Sequence, residues 1–251
     1  MASLEKSVIL ITGANSGVGY DTSYALASAS PNNHIIMACR NPTKGQKAIS
    51  EISARKPAGT LSLLELDVSN DDSIATAAKT IESEFGRLDV LVNNAGIVSR
   101  ASDPRTELRE TFETNTFGPY ILTEALVPLL KKSKDPRIIN VTSGLGSITL
   151  RTDPNSYSEA KFTVYRMTKA ALNMLAVCQH AEFSPWGCKV WTYCPGYVVT
   201  NLTGEDDREN RKQRGAESSE TSAKGILEIV EGRRDGEVGG FIARNGKSYP
   251  W

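Results

Sequence analysis

Ser7-Val8-Ile9-Leu10-Ile11-Thr12-Gly13-Ala14-Asn15-Ser16-Gly17-Val18-Gly19 is the stretch on which the reading of this chain turns. Val8 to Ile11 is an unbroken apolar run, the pattern of a strand buried on both faces of a parallel sheet. A glycine-bearing turn follows, and a helical pattern runs from Asp21 to Ala29. Gly13 allows a sharp turn, Gly17 lets the backbone approach a ligand, and Gly19 lets the new helix pack closely on the strand. The N–H groups at the start of that helix point beyond the strand, where a pyrophosphate is well held. Glycines at this spacing also occur in plain strand-turn-helix connections. The strand before and the helix after shift the balance toward dinucleotide binding.

A chain of 251 residues with no Pro/Gly/Ser-rich linker and no internal repeat reads as one domain. Its 29 basic and 29 acidic residues cancel, which argues against nucleic acid or a membrane surface as partner. Cys39, Cys178, Cys188 and Cys194 lack metal-ligand spacing and read as reduced thiols, so no metal is expected. Met1 to Lys6 is too short for a signal peptide, and no apolar run reaches membrane-spanning length. The expectation is a soluble, cytoplasmic protein.

Apolar runs and helical patterns alternate along the rest of the chain. The strands are expected at His34–Cys39, Leu61–Leu66, Leu88–Val92, Arg137–Val141, Lys189–Tyr193 and Gly240–Ala243. Helices are expected at Thr43–Arg55, Asp71–Phe85, within Thr106–Lys131, through Lys169–Glu182, and ending near Glu231 after a polar stretch, Asn201–Thr221. The alternation predicts an α/β fold, a doubly wound, mostly parallel sheet of seven strands with helices on both faces. Such sheets bind ligands beyond the carboxyl ends of the strands, so the residues just after each strand carry the information.

After the second strand comes Arg40, where an NAD-binding sheet usually carries an acid for the ribose 2′-hydroxyl. A guanidinium there suits a 2′-phosphate and points to NADP(H), although a solvated loop charge would read the same. Asp67-Val68 follows the third strand, with a carboxylate able to accept the adenine amino group. Asn93-Asn94-Ala95-Gly96 follows the fourth, where small residues leave room for a cofactor or simply make a turn.

Thr12-Gly13-x-x-x-Gly17-x-Gly19 with Asn93-Asn94-Ala95-Gly96 resembles the short-chain dehydrogenase/reductase family. The resemblance continues through Asn115, Ser143, a Tyr-x-x-x-Lys pair and Pro195-Gly196-Tyr197-Val198-Val199-Thr200. Arg40 and the closing Asn245-Gly246-Lys247-Ser248-Tyr249-Pro250-Trp251 look like carbonyl-reductase-type members that use NADPH. The resemblance implies that Gly13, Asn15, Ser16, Gly17, Val18, Gly19, Arg40, Asp67, Val68, Asn94, Ala95 and Gly96 contact cofactor. It implies the same for Tyr165, Lys169, Pro195, Gly196, Val198 (through its main chain) and Thr200.

Two pairs, Tyr157…Lys161 and Tyr165…Lys169, fit the Tyr-x-x-x-Lys pattern, and residues four apart share a helix face. Tyr157 lies at the more usual family distance after Ser143, and Tyr165 at the more usual distance before Pro195-Gly196. Lys169 leads into Ala170-Ala171-Leu172-Asn173-Met174-Leu175-Ala176, a strong helix-forming run, whereas Tyr157 follows a loop or helix-start signal, Asp153-Pro154-Asn155-Ser156. Tyr165 and Lys169 are therefore the expected pair, with Arg151–Phe162 an insertion before them and Tyr157 a surface or substrate-rim residue.

By the resemblance, Tyr165 donates the proton to a carbonyl oxygen, or takes it back in oxidation. Lys169 lowers the phenol from its ordinary value near ~10 and holds the nicotinamide ribose. Ser143 holds the substrate oxygen, with Thr142 a near competitor. Asn115 anchors a water that links Lys169 to solvent, or else bonds backbone in a distorted helix. The expected partner is a small carbonyl or alcohol substrate, contacted by Ile97–Arg105, Leu145–Tyr157 and a mobile, charged segment at about 201–222. A non-catalytic NADP(H)-binding sensor is the competing reading, usually marked by a broken tyrosine-lysine pair. An epimerase or dehydratase would need more chain after Pro195. Family members often pair through their two longest helices, which makes a homo-oligomer possible here, and an insertion before the catalytic helix can obstruct that face.

Overall fold

The computed structural model describes residues 6–155 and 161–251. Its strands are β1 (Ser7–Thr12), β2 (Asn33–Cys39), β3 (Thr60–Glu65), β4 (Val90–Asn93), β5 (Arg137–Val141), β6 (Lys189–Cys194) and β7 (Phe241–Ala243). They form one sheet in the order β3-β2-β1-β4-β5-β6-β7, and every pairing between these strands is parallel. The order reverses between β1 and β4, which pair Ile9 with Val90 and Ile11 with Val92. That reversal leaves a crevice beyond the strand ends, the usual ligand position of a doubly wound sheet.

Successive residues of a strand point to opposite faces, so the apolar runs divide between two cores. Val8, Leu10, Ile36, Leu91, Ile138 and Val190 pack on one face against α3 (Asp71–Phe85), α5 (Gly118–Leu130) and α7 (Thr163–Phe183). Ile9, Ile11, Ile35, Val92, Ile139 and Trp191 pack on the other against α1 (Gly17–Ala29), α2 (Pro42–Ala54) and α9 (Glu220–Val230). Strands buried on both faces cannot alternate apolar with polar, which is why they read as continuous hydrophobic runs. Helix starts follow the capping signals in the sequence. Asn41 Oδ1 accepts from Lys44 N at 2.9 Å ahead of α2, and Asn70 Oδ1 accepts from Ser73 N at 2.8 Å ahead of α3. Asp103 Oδ2 likewise accepts from Thr106 N at 2.8 Å ahead of α4 (Pro104–Phe112).

Three expectations shift. α1 begins at Gly17 rather than Asp21, because the glycine turn leads directly into helical hydrogen bonding. The long helix over 104–130 is α4 joined to α5 by a π-helical turn at Glu113–Phe117, and Asn115 sits in that turn. The polar stretch after β6 contains a short helix, α8 (Arg208–Gln213), and a parallel bridge between Val198 and Glu217. The Arg151–Phe162 expectation is described only in part: α6 (Ile148–Thr152) runs into its first two residues, α7 starts just after it, and Tyr157 lies outside the described residues.

Candidate active site

The glycine turn is tied to β4 through polar groups of both segments. Asn94 N and Ala95 N donate to Thr12 Oγ1 at 3.0 and 2.9 Å, and Asn94 Nδ2 donates to Thr12 O at 2.7 Å. Gly13 and Gly17 take φ values of +63° and +54°, left-handed conformations that glycine adopts without strain. A Cβ on Gly19 would lie 2.5 Å from Asn94 Nδ2 and from Gly13 O, so only glycine fits between helix and turn. A Cβ on Gly17 would meet Thr200 Cγ2 at 3.1 Å, which places Thr200, in the segment beyond β6, against the glycine turn. Ser16 caps α1 without a side-chain hydrogen bond.

At the outer side of the crevice, Arg40 is exposed beyond β2. Burial alone would raise Asp67, but hydrogen bonds from the hydroxyl and backbone of Ser69, with the charge of Arg40, hold its carboxyl below the usual range. One carboxylate oxygen, Oδ1, takes both Ser69 bonds, at 2.6 and 3.0 Å. Val68 is buried under the start of α5.

At the inner side, one turn of α7 carries Tyr165 and Lys169, with Lys169 Nζ 5.7 Å from the centre of the Tyr165 ring. Lys169 Nζ donates to Val141 O at 2.9 Å, at the end of β5. Ser143, two residues on, shares a hydrogen bond with the Tyr165 hydroxyl. Thr142 turns away instead, with Oγ1 2.6 Å from Asn173 Oδ1 and 3.3 Å from Lys169 O. Ser143 is thus the hydroxyl that meets the tyrosine, and Thr142 braces α7. Asn115 is fully buried; its Oδ1 accepts from Ile97 N at 2.8 Å, and its Nδ2 donates to Ile97 O and Thr168 Oγ1 at 2.9 and 3.1 Å. A Cβ on Gly96 would come 3.4 Å from Asn115 Oδ1 and 3.6 Å from Lys169 Nζ, so these groups border one small gap.

Burial governs the ionisation of the pair. It is the largest influence on Tyr165 and pushes the phenol well above its ordinary value; the neighbouring Cys194 adds to this, while the Ser143 hydrogen bond and the charge of Arg211 oppose it. The same burial lowers Lys169 to about 8. The expected lowering of Tyr165 by Lys169 is not seen: desolvation dominates, and the influences that oppose it come from Ser143 and Arg211.

A family model described as short chain dehydrogenase matches residues 7–211. This chain belongs to the short-chain dehydrogenase/reductase family. It is 34% identical to the short-chain dehydrogenase/reductase tropE of Talaromyces stipitatus, over 98% of each sequence. It is 38% identical to the short-chain dehydrogenase anuI of Penicillium roqueforti, over 90% of this chain and 89% of the relative. Among solved structures it resembles an NADPH-bound carbonyl reductase from chicken fatty liver, with TM-score 0.82, 28% identity and coverage of 98% and 99%. It also resembles the carbonyl reductase Sniffer of Drosophila melanogaster, with TM-score 0.80, 28% identity and coverage of 98% and 100%.

This short-chain dehydrogenase/reductase also places at the site residues that the sequence reading passed over. Arg211 lies in a run of charges that reads as solvated, yet its Nη2 and Nε donate to Val198 O at 2.8 and 3.2 Å and its guanidinium stacks on Tyr197 at 4.9 Å. Thr168 links α7 to Asn115. Cys194 is buried beside the tyrosine-lysine pair, and its Sγ accepts from Gly144 N at 3.1 Å. Pro195 O accepts from Ser222 Oγ at 2.6 Å, and Gly196 takes a φ of +79° in the same turn. Among the described residues no three His, Cys, Asp or Glu side chains gather as metal ligands, and no helix is long and apolar enough to cross a membrane.

Proposed function

We propose that this protein is an NADP(H)-dependent carbonyl reductase, moving a hydride between nicotinamide and a ketone, aldehyde or secondary alcohol. The observation that carries the reading is the convergence of Ser143, Tyr165 and Lys169 beside a gap bordered by Gly96 and Asn115. That gap, and the left-handed glycine turn facing Thr200, make a cradle that side chains would fill; it fits a nicotinamide dinucleotide laid across the crevice. Gly13, Asn15, Ser16, Gly17, Val18 and Gly19 would hold the pyrophosphate, and Arg40 the 2′-phosphate. Asp67 and Val68 would flank the adenine, Asn94, Ala95 and Gly96 the middle of the cofactor, and Pro195, Gly196, Val198 and Thr200 the carboxamide.

When bound, the cofactor supplies or accepts the hydride. The chain supplies the rest. Ser143 holds the carbonyl oxygen by hydrogen bond, and Tyr165 Oη gives its proton to that oxygen as negative charge develops. A buried phenol with a raised pKa is neutral at physiological pH, the state a proton donor requires. Lys169, charged below about pH 8, stabilises the phenolate that donation leaves. The gap between Asn115 Oδ1 and Lys169 Nζ suits a water that returns a proton from solvent.

The test is incubation of the pure protein and NADPH with a panel of ketones and aldehydes. Carbonyl-dependent oxidation of NADPH is expected. NADPH binding with no turnover of any panel member would favour a cofactor sensor, and binding of neither NADPH nor NADH would overturn the reading.

A further inference from the structure

The carbonyl-holding turn after β5 is fastened by Cys194 together with the segment that follows β7. Cys194, the last residue of β6, is buried, and its Sγ accepts a hydrogen bond from Gly144 N at 3.1 Å. The same sulfur takes hydrogen bonds from the backbone of Gly196 and from the Tyr249 hydroxyl. One thiol therefore joins the Ser143-Gly144 turn, the Pro195-Gly196 turn and the segment 247–251. The Tyr249 ring lies over Gly144, where a Cβ would meet Tyr249 Cε1 at 3.2 Å.

The segment itself is held along its length. Ala243 N donates to Lys247 O and Tyr249 N to Phe241 O, both at 2.7 Å, and Ile242 and Ser248 form an antiparallel bridge. Phe241 has Tyr249 and Trp251 against it, with ring centres 5.1 and 5.4 Å away. The segment then grips the far end of the turn: Ser147 Oγ donates to Pro250 O at 2.7 Å, and Thr149 N donates to Trp251 O at 2.9 Å. Both ends of the loop that carries Ser143 are thus tied to β7 and its extension.

We propose that Cys194 and Tyr249 are positioning residues, and that the Tyr249–Cys194–Gly144 tie holds Ser143 at its distance from Tyr165 for carbonyl binding. The proposal rests on the carbonyl-reductase reading. It follows from the need of such a site for sub-ångström placement of the group that holds the substrate oxygen. Thr142 N donates to Tyr193 O at 2.8 Å on one side of Ser143 and Gly144 N to Cys194 Sγ on the other, while Ser143 Oγ itself accepts from Leu145 N and meets the tyrosine.

The experiment compares wild type with Cys194→Ala, Tyr249→Phe and Cys194→Ser, using NADPH and 4-nitrobenzaldehyde, alongside hydrogen exchange of the peptide spanning residues 143–149. Breaking the tie in the alanine and phenylalanine variants is expected to lower kcat about tenfold or more, given the cost of small misplacements in such sites. In Tyr249→Phe the NADPH dissociation constant should stay within about twofold of wild type, because the Tyr249 hydroxyl bonds Cys194 and not a residue assigned to the cofactor. Exchange over 143–149 should quicken in both, and Cys194→Ser, whose hydroxyl can still accept from Gly144 N, should restore part of kcat. A lowered melting temperature with kcat and exchange unchanged would overturn the proposal, as would lower kcat with unchanged exchange. Should wild type bind NADPH and reduce nothing, the functional reading fails, and exchange alone then decides whether the tie exists.

Discussion

Single side chains at this site are set by burial more than by their neighbours. Lys169 has its ammonium drawn down to about 8 by desolvation, while Tyr165 stays neutral far above that. Because kcat/KM for NADPH reports the free enzyme, its pH profile for reduction should be level below about pH 8 and fall as Lys169 loses its proton above it. A profile that stays level to pH 10 would assign the lysine no part in binding or chemistry. The glycine turn, Asn94 to Gly96, Ser143 and Pro195-Gly196 were legible in the sequence because each follows a strand, and strand ends line the crevice whatever the details of packing. Asn115, Tyr165 and Lys169 lie on helical turns and were legible through the family pattern. Cys194 and Tyr249 were not. Their meeting depends on β7 and its extension folding back beside β6, a contact between residues far apart in sequence that no local pattern encodes. Arg211 was hidden for a related reason: within a run of charges, only the packed structure shows which side chain turns inward.

At the scale of elements, the β1-turn-α1 unit was readable almost residue by residue, since positive φ and close packing both demand glycine. Its one error, the start of α1, came from looking for apolar periodicity before the polar first turn had ended. Gly19→Ala tests how tightly that unit is built. The added methyl would have to displace the Asn94 amide or the Gly13 carbonyl, each 2.5 Å from its position. Overpacking of this kind costs roughly 1–3 kcal/mol, so NADPH affinity should weaken about tenfold or more. A fluorescence titration that returns the wild-type dissociation constant would contradict the packing argument. The π-helical turn was legible only as a possible distortion around Asn115; the structure shows the reason for it, an amide that must reach Ile97 and Thr168 at once.

Across the whole molecule the two ends of the sheet are built for different ends. The carboxyl end holds the crevice, and the opposite end, at the starts of β5 and β6, holds an ion network. There the nearly buried Arg137 guanidinium bonds Asp135 and Asp235, and Lys189 Nζ reaches the same two carboxylates at 2.8 and 2.6 Å. The hydrogen bond from Arg137 is the chief reason that Asp235 ionises below its ordinary range. A carboxyl whose folded pKa is depressed contributes stability that is fully present above its unfolded value and lost as pH falls through the folded one. Asp235→Asn should therefore cost about 1–2 kcal/mol near neutral pH, less than for a fully buried pair because Asp235 is partly exposed and Asp135 remains. Its deficit, read from urea unfolding, should shrink as both proteins are taken below pH 4. A deficit that is constant with pH would show that the loss is not electrostatic.

The most direct test of the account uses NADPH deuterated at the transferable position of C4, a carbonyl substrate found in the panel, and mass analysis of the alcohol formed by wild type and by Tyr165→Phe. The account predicts deuterium on the carbinol carbon of the wild-type product, and a rate about 10²–10⁴-fold lower for the variant at unchanged NADPH affinity. Deuterium transfer at the same rate by Tyr165→Phe would contradict the assignment of the proton donor, and an alcohol without deuterium would contradict hydride transfer itself.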